Sequence, residues 1–172
     1  MRRVSGFTLV EMMVVAAILA ILASIALPSF RPMIANNRIV ANTNDLIADL
    51  ALARSEAAKR GGTTVVTVCA SSDGSSCSGS TDWSGGRLVF LDGGTQGAVD
   101  GTDSTNVLRN SRAVSNLVLT STVASFSYLS DGSVSSNLPG TVTVCSSGVI
   151  GRIVSISNIG RAKVDATAAA CS

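Results

Sequence analysis

The 172-residue chain contains no histidine. That removes the most common general base, the usual partner of a nucleophilic serine and the nitrogen ligand of most zinc sites. Aromatic residues make up 3% of the sequence, with one Trp and one Tyr, so a globular core has to be built from Val, Ile, Leu and Ala. Charged residues make up only 14%, and there is none from Met12 to Phe30. No cysteine precedes Cys69, which excludes a lipoprotein signal, since that needs a Cys directly after its apolar segment. The chain has no internal repeats, and its length suits one domain beyond an anchor.

The uncharged run organises the rest. Arg2 and Arg3 lead to Gly6, Phe7 opens an apolar segment, and Glu11 is its only acid. At about 1.5 Å per residue, a helix from Phe7 to Phe30 roughly spans the ~30 Å hydrocarbon core of a bilayer. Positive charge before the segment, and none after it until Arg31, predicts a cytoplasmic N-terminus with the rest on the opposite, oxidising side. A conventional secretory signal would end at a small-residue site. Ala20 to Ala26 offers small residues, but the helical pattern continues past them. A carboxylate inside such a segment costs about 2.5 to 3.5 kcal/mol on insertion scales, so Glu11 reads as functional; the plain alternative is a side chain snorkelling at headgroup level.

The helical pattern continues to Gly61. Pro28 and Pro32 interrupt it, each lacking a backbone donor and inviting a kink. Beyond them Ile39, Val40, Thr43, Leu46, Ile47, Leu50, Ala53 and Ala57 recur at helical spacing, with Arg38, Asp45, Asp49, Arg54 and Glu56 between them. Lys59-Arg60 followed by Gly61-Gly62 marks the stop. From residue 62 the texture is β, with strands expected at 63–70, 87–92, 117–122, 125–130, 141–146, 151–158 and 162–165. Asp131-Gly132 signals a hairpin turn. The expected fold is α+β: residues 7–30 as an anchor and 31–61 as the amphipathic half of the same helix, covering an antiparallel sheet within 62–172.

Cys69, Cys77, Cys145 and Cys171 all lie beyond the anchor. An even count on the exported side suggests two disulfides, and of three pairings Cys69–Cys77 and Cys145–Cys171 are favoured, closing a short Ser/Gly loop and pinning the tail. Spacings that fit no zinc finger argue against a metal. Without a base for any serine, no catalytic residues and no cofactor are expected. Asp45 and Asp49 read as solvated i,i+4 neighbours. The loop Asp92–Asp103 has the oxygens for calcium but not an EF-hand spacing, so a solvated loop is expected there.

Gly-Phe-Thr-Leu-Val-Glu at residues 6–11, after a short basic leader, resembles the processing site of type IV prepilins and type II secretion pseudopilins. Ala-Arg-Ser-Glu-Ala at 53–57, the Val-Thr-Val-Cys strand, Trp83 before Gly86–Phe90 and the Gly160-Arg161 turn are similar to the FimT/GspH-type minor pilins and pseudopilins. The resemblance implies cleavage after Gly6 by a prepilin peptidase, N-methylation of Phe7, and Glu11 facing the terminal amine of a neighbouring subunit. It further implies an inner-membrane assembly platform, other pilin subunits as partners and, before assembly, the lipid bilayer. In competence-associated members a C-terminal Gly-Arg-x-Arg motif binds double-stranded DNA. Here Arg161 matches, Lys163 replaces the second Arg, and Arg152 lies upstream; lysine keeps the charge but not the bidentate fork. The plain alternative for these residues is a solvated strand edge.

Overall fold

The computed structural model describes residues 7–101, 103–135, 139–165 and 171, with the backbone alone for 25–29. Gly6 and the leader lie outside the described residues. Contacts divide the chain into two units, Met1–Ile34 and Ala35–Ser172.

One helix, α1 (Leu9–Arg60), continues unbroken through Pro28 and Pro32. The prolines do not end the element, although each lacks a backbone donor. In the first unit every described side chain is exposed, Phe7 at 78%. Among the described residues no helix is both long and apolar enough to cross a membrane. The apolar run of the sequence extends through 25–29, whose side chains are outside the description. In the second unit Ile39, Asn42, Thr43, Leu46, Asp49, Leu50, Ala53 and Ala57 are buried. That is the expected stripe with Val40 and Ile47 only half-buried and the polar Asn42 and Asp49 added. Gly61, at φ 65°, ends the helix by donating its N–H to Ala57 O at 3.1 Å, a left-handed cap that a side chain would strain.

Among the described residues eight strands follow: β1 (Val65–Ala70), β2 (Gly86–Asp92), β3 (Val107–Arg112), β4 (Val118–Ser121), β5 (Ser125–Tyr128), β6 (Gly140–Ser146), β7 (Val149–Ile156) and β8 (Ala162–Asp165). They form two antiparallel four-stranded sheets, ordered β3-β2-β1-β5 and β4-β6-β7-β8. The sequence pattern predicts one sheet and no strand at 107–112; the fold has two sheets, with β3 at the edge of the first. Trp83 stitches the sheets together. Its N–H bonds Leu119 O at 2.8 Å and its indole N–H bonds Val123 O at 3.3 Å, while the ring packs edge-on against Phe126.

The main core joins the helix stripe to Val66, Val68, Val89, Phe126, Tyr128, Val142, Val144, Val154 and Ile156. A smaller cluster of Cys69, Leu88 and Phe90 fills the other face of the first sheet. Burial on both faces explains why Arg-Leu-Val-Phe-Leu-Asp in β2 reads as a continuous apolar run and not as an alternation. Disulfides join Cys69 to Cys77 and Cys145 to Cys171.

Two expectations are corrected here. Asp49 is fully buried, not solvated: its carboxylate accepts from Arg87 Nε at 2.9 Å and Arg109 Nε at 2.9 Å, and from the Ser111 hydroxyl. Asp45 does stay exposed. The 92–103 loop is likewise not simply solvated, because Asp92 and Asp103 are buried. Asp103 accepts the Gly93 N–H at 3.1 Å and Asp92 the Thr67 hydroxyl at 2.6 Å. These carboxylates organise the loop through its own backbone donors. Among the described residues no group of three or more acids or cysteines is arranged to hold a metal ion.

Candidate functional site

The start of α1 is built by Thr8. Its hydroxyl accepts the Glu11 N–H at 3.2 Å, and its carbonyl accepts the Met12 N–H at 3.2 Å. Thr8 is thus the N-cap and Glu11 the third helical residue, the spacing of a capping box. Thr-x-x-Glu before an apolar run is a helix start visible in the sequence, a signal of Thr8 additional to the Gly6, Phe7 and Glu11 set. An acid in the first turn also complements the partial positive charge at a helix N-terminus. Phe7 lies two residues before the helix. Leu9, Val10, Met12, Met13, Val14, Ile18, Leu19, Ile21 and Leu22 are all exposed. A helix apolar on every side has no stable place in water; it belongs in lipid or among other apolar helices.

The second candidate is the C-terminal turn. The Gly160 N–H bonds Ser157 O at 2.8 Å, and Gly160 has φ 72°. A Cβ there would lie 2.0 Å from Gly132 O and 2.9 Å from the Tyr128 ring, so the position takes glycine alone. Arg54 of α1 clamps both turns, donating from Nε to Gly132 O at 3.1 Å and from Nη2 to Ile159 O at 3.0 Å. The Arg of the Ala-Arg-Ser-Glu-Ala segment thereby fixes the Gly160-Arg161 turn. Burial holds the Tyr128 hydroxyl well above its usual range beneath it.

Arg161 and Lys163 share a cleft of about 530 Å³ with Pro139, Gly140, Thr141, Ser155, Ile156 and Ser157. Arg161 precedes β8, and Lys163 pairs with Ser155 of β7. Arg152 is three residues from Ser155 along the same strand, an odd separation that places it on the opposite face. It lines a different cleft. The structure thus brings Arg161 and Lys163 together and leaves Arg152 apart. Lys163 Nζ also lies 2.8 Å from Asp165, which accepts the Ser155 hydroxyl as well. Lys163 first, and Ser155 second, hold the Asp165 carboxyl below its ordinary range. A depressed carboxylate keeps its partner at neutral pH and releases it only as pH falls through the lowered value.

A long N-terminal helix over antiparallel sheets, headed by an apolar segment with one acid, defines a type IV minor pilin or pseudopilin. Residues 42–160 match the family model described as Type II transport protein GspH, and residues 1–27 match the prokaryotic N-terminal methylation motif. The chain belongs to the GspH family.

No curated protein matches the chain. Crystal structures of the type IV minor pilin FimU of Pseudomonas aeruginosa (strain PAO1) share its fold in two crystal forms. One has a TM-score of 0.59 at 22% identity, covering 78% of this chain and 93% of that one. The other has a TM-score of 0.54 at 23% identity, covering 72% and 89%.

Proposed function

We propose that this chain is a structural minor subunit of a type IV pilus or type II secretion pseudopilus, priming or tipping the filament. It is made as an inner-membrane precursor with its N-terminus cytoplasmic and its globular domain periplasmic. A prepilin peptidase cuts after Gly6, and the new Phe7 terminus is N-methylated. An assembly platform then transfers the helix from lipid into a bundle of neighbouring subunit helices, and the Pro28 and Pro32 region, which lacks two backbone donors, gives way during extraction. The observation that carries this reading is the all-round apolar exposure of the helix headed by Thr8 and Glu11. Glu11 supplies the negative charge that a neighbour's Phe7 amine needs when both are buried. Changing Glu11 to Ala should leave cleavage intact but remove the subunit from sheared filaments on immunoblots; normal incorporation would refute the role.

A second reading is DNA uptake, favoured by the shared cleft of Arg161 and Lys163. Against it stand the Lys163–Asp165 pair and the separate position of Arg152. Salt-sensitive gel shifts of double-stranded DNA, lost on changing Arg161 and Lys163 to Gln, would support this reading. Absence of binding at low salt would leave these residues as ordinary surface.

A further inference from the structure

Among the described residues three carboxylates are buried: Asp49, Asp92 and Asp103. Asp49 is neutralised by Arg87 and Arg109. Asp92, 6% exposed, and Asp103, 3% exposed, pair with no cationic side chain among the described residues. A buried charge is costly unless it is paired or binds a metal ion. Both aspartates line one cleft of about 570 Å³, together with Thr63, Thr64, Asn106 and Arg60. Arg60 is bonded to Glu56 at 3.3 Å. The hydrogen bonds of Asp92 fall on one oxygen: Oδ2 accepts from the Thr67 hydroxyl and from the Gly97 N–H at 2.9 Å. Its Oδ1 is buried and accepts from no donor among the described residues. Asp103 takes the Gly93 N–H on Oδ1 at 3.1 Å and the Asp100 N–H on Oδ2 at 3.3 Å.

We propose that this cleft binds a divalent cation, calcium, on Oδ1 of Asp92 and the carboxylate of Asp103. The two carboxylates balance the ion's two positive charges, a balance that Arg60, engaged by Glu56, does not provide. With two acids and not three, the remaining ligands are neutral oxygens drawn from Asn106, Thr63, Thr64 and water. Calcium accepts six to eight oxygens, carbonyls and waters among them, in a flexible geometry that an irregular loop can supply. Magnesium demands a near-ideal octahedron, which such a lining does not favour. The chain has no histidine, and Cys69, Cys77, Cys145 and Cys171 are in disulfides, so the softer ligands that select transition metals are lacking. A bound ion would tie the loop between β2 and β3 to residues 60–64, where the chain leaves α1. All of these residues lie in the unit Ala35–Ser172, and the site does not depend on the filament role.

The test titrates calcium chloride into the full-length chain in detergent micelles, after EGTA treatment and dialysis. Calorimetry should show one site with a Kd of roughly 0.1 to 1 mM, the range of extracellular calcium modules. At ten times Kd, amide hydrogen exchange of 93–103 should slow about tenfold, while exchange in β6 stays unchanged. Asp92→Asn and Asp103→Asn should each abolish binding. Asp100→Asn should keep it, because Asp100 does not line the cleft. Asp92 and Asp103 are buried, so the exchange pattern of the unaltered chain decides the question even where those variants misfold. No heat and no slowing up to about 10 mM calcium, ten times the weakest Kd expected, overturns the proposal. So does slowing that lies outside 93–103, or slowing matched by sodium chloride at equal ionic strength, which would mark charge screening.

Discussion

Asp49 decides how the helix is held. Its side chain is fully buried, with Arg87 2% exposed against it and Asn42 accepting from the same guanidinium at 3.2 Å. Removing one member of such a group leaves an uncompensated buried charge, which costs about 3 to 5 kcal/mol. Asp49→Ala in the soluble unit 35–172 should therefore lower unfolding stability by that amount in urea titrations. A loss below about 1 kcal/mol, the value of an exposed pair, would contradict the buried network. The sequence shows Asp49 as one polar residue among many on an amphipathic helix. A sharper signal was present, since Asn42 and Asp49 are seven apart and share a face with Ile39 and Leu46. What the pattern could not supply was the partner: Arg87 comes from a strand 38 residues away, and only folding brings it there. The capping role of Thr8 was, by contrast, legible from the chain alone.

At the level of elements, legibility followed local chemistry. The helix stop at Arg60 was written in Lys59-Arg60-Gly61-Gly62, and β1, β2, β6 and β7 in their β-branched runs. β3 was not legible. Val-Leu-Arg-Asn-Ser-Arg has no apolar alternation, and it is a strand because it pairs with β2 at a sheet edge, with a register shift at Val89/Phe90. The division into two sheets is equally non-local, as it depends on which strands find each other. Arg54 shows how one element positions another. Its two charge-assisted bonds to Gly132 O and Ile159 O tie the helix to both turns. Arg54→Ala should cost about 1.5 to 3 kcal/mol for a bond of this kind, read as lowered thermal stability with faster amide exchange at 157–161. Unchanged exchange at that turn would mean it is held by its own hydrogen bonds.

The whole molecule combines a helix half that cannot remain bare in water with a domain whose core is complete. The domain buries the second half of α1 against two sheets, and disulfides close its Ser/Gly loop and hold Cys171. Every described side chain of the first half is exposed, and so apolar a surface suits lipid or other apolar helices. Membership of the GspH family accounts for the fold. The N-terminal methylation motif at residues 1–27 was the most legible feature of the sequence because it is short and linear. The most direct test is the intact mass of the protein isolated from its native envelope. The account predicts the mass of residues 7–172 with both disulfides formed and one methyl added at Phe7. The full-length mass, or a chain beginning after the small residues of Ala20–Ala26, would contradict it.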